Sequence, residues 1–314
     1  MKVFRGVDDL PAFKNGILTI GTFDGVHCGH QTIINRINDI EEKYDGESII
    51  LTFHPHPRLV LNPNDTSLKL INTLDEKIEL LDHYGIDNLV IAPFSKEFAE
   101  SSAESYVRDF LWEKFRPKRV VIGYNHHFGN NREGNIGLLE NIGDELGFGV
   151  EEIEKQIVDH LGVSSTKIRN AITNGEIETA NHLLGHYFSF AGKVIKGDNR
   201  GKTLGFPTAN VLVEDANKLI PGNGVYAVQA TIDKQQYGAM LNIGQKPTFN
   251  GTSRSIEAHI FDFDDDIYGT VIDIELVEKI RDEKKFESAD DLVVQLKDDQ
   301  VKAQSILSNV KQES

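Results

Sequence analysis

The apolar pattern of this 314-residue chain changes period near residue 185, and that change limits what the chain can fold into. Before it, short β-branched runs at 17–20, 48–53, 88–92, 119–122 and around 150–158 read as strands. Between them, helices are expected from Gln31 onward, at about 75–84, 102–115 and 135–146, and again at 176–184. Strands separated by helices predict an α/β, mostly parallel, doubly wound Rossmann-like sheet covered on both faces. After Gly185 the helical period vanishes. A hairpin of 224–230 and 237–243, turning at Asp233-Lys234-Gln235-Gln236, and strands at 255–261 and 271–280 alternate instead. These predict a small closed antiparallel β-barrel. A helix from about Ala289, with Leu292, Leu296, Ala303, Leu307 and Val310 apolar, closes it. The expected domains are 1–185 and 186–314.

The first strand runs into Gly21-Thr22-Phe23-Asp24-Gly25-Val26-His27-Cys28-Gly29-His30. Asp24-Gly25 turns the chain, and Ile33, Ile34, Ile37 and Ile40 then follow at helical spacing. Two histidines three residues apart therefore stand where a strand hands over to a helix, the usual ligand position in an open α/β sheet. Backbone N–H groups and the positive helix end suit a phosphate there, and imidazoles can stabilise charge that develops on it. Alone, the pair reads equally well as turn histidines or half of a metal site.

Two further polar loops belong on the same sheet edge. His54-Pro55-His56-Pro57-Arg58 follows the second strand, its prolines holding an irregular loop. Gly123-Tyr124-Asn125-His126-His127-Phe128-Gly129 follows the 119–122 strand. Zinc fits this histidine-rich rim poorly, since no thiolate accompanies it and the H-E-x-x-H spacing is absent. His83 and His182 read as helix-surface residues. Ser164-Ser165-Thr166-Lys167-Ile168-Arg169 opens a helix whose hydroxyls and cations make either a plain cap or an anion cradle. Beside the histidine pair the cradle prevails, because a nucleotide phosphate chain needs an attacked centre and a place for its leaving part.

A formal net charge of −16 excludes a non-specific nucleic-acid binder but not a basic nucleotide pocket. A lone cysteine, Cys28, excludes an internal disulfide and fits a reducing cytosol. A cytoplasmic protein is expected, since no signal peptide, bilayer-length apolar run or C-terminal lipidation signal is seen. A monomer or weak oligomer is expected, with no membrane partner.

In the second half, Gly197 and Gly201-Lys202-Thr203 nearly fit a P-loop, but the spacing is one residue short and Leu204-Gly205-Phe206-Pro207 cannot start the required helix. A glycine-rich flap over a ligand fits better. Thr208 and Asn210 share a face of extended chain and could reach one hard cation, unless they merely begin a strand. Glu257 shares a face with Ser255 and His259; it either faces solvent or takes a proton from an attacking alcohol. The acidic run 262–266 reads as a solvated hairpin tip.

G-T-F-D-G-V-H-C-G-H (21–30), T-F-H-P-H-P-R (52–58) and S-S-T-K-I-R (164–169) resemble the H-x-G-H nucleotidyltransferases, in particular the FMN adenylyltransferase module of prokaryotic FAD synthetases. The resemblance implies that His27, His30 and Arg169 act on the ATP phosphates. It implies that Gly21, Phe23, Asp24, Gly25, Asn125, Ser164, Ser165 and Thr166 bind nucleotide, and Phe53, His56 and Arg58 the flavin. Cys28 fills the signature's variable position, and His126 stands where related modules more often carry an aromatic. The motifs at 192–210, 224–227, 242–249, 256–259 and 281–286 resemble riboflavin kinase. That resemblance implies Gly197 and Lys202 on nucleotide, Thr208 and Asn210 on Mg²⁺–ATP, Glu257 as base, and Arg281 and Phe286 over the flavin. The whole chain is thus similar to bacterial bifunctional riboflavin kinase/FAD synthetases, implying ATP, FMN, FAD and Mg²⁺. A kinase with an inactive adenylyltransferase and a flavin-sensing binding protein are the alternatives.

Overall fold

The computed structural model describes residues 1–65, 67–124, 126–153, 162–197, 200–248 and 251–313. The chain forms two compact units, Met1–Lys69 with Thr73–Ser165, and Leu70–Asn72 with Thr166–Ser314.

The first unit is a six-stranded sheet of order β1-β4-β3-β2-β5-β6, parallel at every pairing. Its strands are β1 (Lys2–Arg5), β2 (Ile17–Ile20), β3 (Ser48–His54), β4 (Asn88–Pro93), β5 (Arg119–Gly123) and β6 (Gly149–Ile153). Successive strand residues bury on opposite faces. Leu18, Ile20, Ile49, Leu51, Val90 and Ile122 join one cluster. Ile50, Leu89 and Ile91 join another with Leu81, and Ile17 and Val121 a third. Burial on both faces is what continuous apolar strands require. Helix α1 (Cys28–Tyr44) buries Ile34, Ile37 and Ile40. Because β2 lies between β3 and β5, the loops after all three leave neighbouring strands on one edge, at the order's reversal point.

Several expectations need correction. Strand β1 precedes the run read as the first strand; it is an exposed edge, so no buried alternation marks it. The loop after β3 is not wholly irregular, because His56 caps a short helix α2 (Pro57–Leu61) by accepting from the Arg58 N–H. The segment expected as a helix over 102–115 is π-helical from Tyr106 to Trp112. There Tyr106 stacks on Phe128 at 5.3 Å and packs against Phe98 and Phe110. The end of the expected 150–158 strand lies outside the described residues.

The second unit is a closed barrel of order β10-β11-β8-β7-β12-β9. It comprises β7 (Phe188–Ile195), β8 (Ala209–Leu212), β9 (Gly224–Ile232), β10 (Gln235–Thr248), β11 (Gly251–Ile260) and β12 (Val271–Arg281). The β9–β10 turn is only Asp233-Lys234, with φ of 48° and 69°, so Gln235 and Gln236 already pair as strand. Two positive φ values give the twist of a two-residue hairpin without glycine. The helix Ala289–Glu313 covers one side with Ala303 and Leu307 against Met240 and Phe261.

The helices Ser165–Asn174 and Ile177–Leu184 lie in the barrel's unit, whereas the expected boundary near 185 assigns them to the first domain. Asn181 explains the attachment: its amide donates to the Leu276 carbonyl at 2.9 Å and accepts from Phe188 N at 2.8 Å. Helical period reveals a helix but not the core it joins.

Lys218 ties the Leu70–Asn72 segment to the barrel. It is 3% exposed, and its Nζ donates to Ile71 O at 2.7 Å and Ser189 O at 2.6 Å, above the Phe188 ring. Lys218→Met removes the ammonium from one buried and one partly buried carbonyl and should lower stability by about 2 kcal/mol. Urea unfolding should show an earlier midpoint with an unchanged slope.

Candidate active sites

In the first unit the candidate site grows out of the turn between β2 and α1. Phe23, Gly25 and Val26 have φ of 46°, 91° and 39°, left-handed values that a bulky or β-branched residue rarely adopts. The turn holds because Phe23 and Val26 are driven into the core beside Ile34, Ile50 and Leu81. Its carbonyls also take side-chain donors. Lys77 Nζ and Thr52 Oγ1 both donate to Thr22 O, at 2.6 and 3.3 Å. Gln31 Nε2 donates to Val26 O at 2.8 Å, and Ser165 Oγ to Asp24 O at 3.2 Å.

His27 then caps α1. Its Nδ1 accepts from His30 N at 3.3 Å, so the neutral ring carries its proton on Nε2 and can donate from there. The two imidazoles stack, with centroids 3.7 Å apart and planes 11° from parallel. His30 Nδ1 is enclosed and meets no partner among the described residues. Burial, helped by His27 and the Lys77 charge, holds the His30 ring well below its ordinary pKa, so it is neutral near pH 7. Asp24 is buried, and Gly21 N bonds Leu51 O at 3.0 Å.

The other expected residues divide. His56 is buried as the α2 cap, while His54 and Arg58 are exposed. Phe53 is half-buried in an aromatic group with Phe94 and Phe98, at 5.6 and 5.7 Å. Ser164 and Ser165 are half-buried and Thr166 exposed; Arg169 lies half-buried on the helix that Ser165 begins, within the second unit. Asn125 lies outside the described residues. The sequence reading missed Lys77, buried on helix α3 (Leu74–His83). A signal was available: Lys77 lies three residues after Leu74 and four before the buried Leu81, on the helix's core-facing stripe.

In the barrel, Glu257 of β11 is paired in register with Asn210 of β8 and Asn242 of β10. Ile256, Ala258 and Ile260 point into the core, which turns Ser255, Glu257 and His259 to the other face, as alternation requires. Thr208 Oγ1 donates to Glu257 Oε2 at 3.4 Å, and Pro207 O lies 2.7 Å from His259 Nδ1. The glycine loop presses onto this group. A Cβ on Gly197 would lie 2.1 Å from Asn210 Nδ2, and one on Gly201 2.2 Å from Phe206 O and 3.2 Å from Thr208 Oγ1. Arg200–Thr203 forms a single helical turn, and the Lys202 side chain lies outside the described residues. Arg281 makes a bidentate pair with the fully buried Asp299 of the closing helix, and its guanidinium lies 5.8 Å from the Phe286 ring. Among the described residues no cluster of three His, Cys, Asp or Glu could hold a metal.

A histidine turn at the edge of a parallel sheet and a hydroxyl–amide–carboxylate group on a closed barrel are the two candidate sites of the chain. Residues 10–167 match the FAD synthetase family and 184–307 the riboflavin kinase family. Bifunctional riboflavin kinase/FMN adenylyltransferases of Buchnera aphidicola and Escherichia coli K12 are 36% and 34% identical. The alignments cover 95% of this chain and 96% of the first relative, and 99% of both chains for the second. A solved Streptococcus pneumoniae structure described as a macrolide-efflux protein has a TM-score of 0.87 at 31% identity, covering 96% of this chain and 98% of that one. The chain belongs to the bifunctional riboflavin kinase/FMN adenylyltransferase family. It phosphorylates riboflavin to FMN and adenylylates FMN to FAD, with ATP as co-substrate of both steps. Among the described residues no helix is long and apolar enough to cross a membrane.

His126, at the position where related modules more often carry an aromatic, is half-buried, with an enclosed Nε2 that meets no partner among the described residues. Burial, with His127 and Arg132 nearby, pulls its pKa down to about 4. Between pH 6.5 and 4 the unfolded chain takes this proton before the folded one does. Stability from the neutral ring is therefore whole above 6.5 and drains as pH falls toward 4. His126→Phe lacks this loss, and urea unfolding should show it gaining about 2 kcal/mol on the wild type between pH 7 and 4.

Proposed function

We propose that the histidine turn carries out adenylylation and the Thr208–Asn210–Glu257 group phosphorylation. The observation that carries this division is the barrel group itself: a hydroxyl bonded to a carboxylate, with an amide directly across the strand pair.

In the first site an FMN phosphate oxygen attacks the α-phosphorus of ATP. The bond to the β-phosphate breaks, and pyrophosphate leaves. His27, donating from Nε2, and neutral His30 grip the phosphates and stabilise charge as it builds, with no proton to lose first. Ser164 and Ser165 hold the departing β,γ part; the Ser165–Asp24 bond supports this, because it ties these serines to the turn. Gly21, Phe23, Asp24, Gly25 and Asn125 frame the nucleotide, while Phe53, His56 and Arg58 stand at the flavin end.

In the barrel the riboflavin 5′-hydroxyl oxygen attacks the γ-phosphorus, ADP leaves, and Glu257 accepts the hydroxyl proton. Mg²⁺ fits the neighbouring groups. Thr208, Asn210 and Glu257 are hard oxygen donors on one face, and Gly197 and Gly201 leave open the space beside two of them that a side chain would fill. Thr208 and Asn210 would hold the ion, which neutralises phosphate charge when bound. Gly197 and Lys202 line the nucleotide, and Arg281 and Phe286 cover the flavin. A cytoplasmic monomer or weak oligomer completes the reading, with small molecules rather than nucleic acid or membrane as partners.

Chromatography of products from riboflavin, ATP and Mg²⁺, and separately from FMN, ATP and Mg²⁺, tests it. Glu257→Gln should abolish FMN formation yet spare FAD synthesis from supplied FMN. His30→Ala should slow only FAD synthesis, by about 10²-fold or more. Loss of both steps in either variant would refute the division.

A further inference from the structure

Lys77 is a buried cation that neither reaction uses. We propose that Lys77 is a positioning residue for adenylyl transfer: by bonding the Thr22 carbonyl it fixes the turn that sets where His27 and His30 stand. The proposal rests on the adenylylation reading of that site.

Left-handed φ at Phe23 and Val26 persists only where the surroundings over-determine it. The apolar contacts of Phe23 and Val26 pull the turn inward but are not directional. Direction comes from side-chain donors on the turn's carbonyls. The Lys77 bond, at 2.6 Å, is the shortest of these and is charge-assisted. Thr52, fully buried on β3, makes a longer bond to the same oxygen. Two elements, α3 and β3, thus pin one carbonyl just ahead of the left-handed residues.

A neutral donor would make such a bond without the cost of burying charge, so the charge itself has a use. Lys77 is 7% exposed, and burial draws its pKa down to about 8 against the opposing pull of Asp24. The groups that face it electrostatically are Asp24 and His30, with His27 stacked on His30. Against Asp24 it balances a buried carboxylate in the turn. Against His30 it resists a second positive charge, adding to the burial that already keeps that ring neutral. Lys77 therefore sets the place of the pair and adds to the burial that keeps His30 neutral, without touching substrate.

The test uses the full chain carrying Lys77→Met, with kcat and KM for FAD synthesis measured apart, riboflavin phosphorylation as control, and the His30 imidazole titration followed by NMR. Expected are a fall in adenylylation kcat of about 10-fold or more, unchanged phosphorylation, and a His30 midpoint moved upward. A folded variant with kcat within about twofold of the wild type, or an unmoved His30 midpoint, overturns the proposal. If Lys77→Met does not fold, Thr52→Val removes the other donor to the same oxygen. It should lower adenylylation kcat by about three- to tenfold, and an unchanged kcat overturns the proposal. His30→Ala separates the two levels: intact FAD synthesis there sinks the reading of the site. Its loss there, beside an unaffected Lys77→Met, sinks only the role of Lys77.

Discussion

The chemistry proposed for the first unit depends on seven residues of backbone between β2 and α1 being held in a shape they would not choose. Each non-glycine left-handed residue costs on the order of 1–3 kcal/mol, and Phe23 and Val26 are both of this kind. Core burial of both side chains returns a comparable sum, about 1.5–3 kcal/mol for each large apolar group. The turn is thus anchored from beneath by apolar contact and from the side by donors to its carbonyls. What this arrangement delivers is position: two imidazoles stacked at 3.7 Å at the head of a helix, on the sheet edge where the strand order reverses.

The barrel reaches a comparable end by another route. Strand register alone sets Asn210 beside Glu257, and a residue just ahead of β8 adds the Thr208 hydroxyl. Here no backbone strain is needed, because period-two alternation already separates the core face from the ligand face. The glycines supply room instead of curvature. Gly197 lies where any side chain would strike Asn210, so the loop approaches the oxygen donors with its backbone. On the proposed reading, one chain handles phosphate charge twice, by a pair of imidazoles in one unit and by oxygen donors suited to a divalent ion in the other.

Most of the fold was legible because it rests on apolar period. Ile17–Ile20 and the isoleucines of α1 could hardly belong to anything but a buried strand and the helix behind it. Strand β1 was hidden because an exposed edge need not alternate, and the π-helical stretch because its residues suit an ordinary helix equally well. The site residues that carry motifs were visible in the sequence; those that support them were less so. Lys77 looks like a surface lysine until the helix is built and its stripe is followed. Asp299 reads as one more charge on an acidic helix, and only packing reveals it buried against Arg281. Charged residues on apolar stripes are where a linear reading loses three-dimensional information.

The most direct measurement is a crystal structure of the full chain grown with a non-hydrolysable ATP analogue, FMN and Mg²⁺. The account requires one triphosphate against His27 and His30, and a second nucleotide with its ion beside Thr208, Asn210 and Glu257. A nucleotide bound in neither place, or both nucleotides in a single unit, would contradict it.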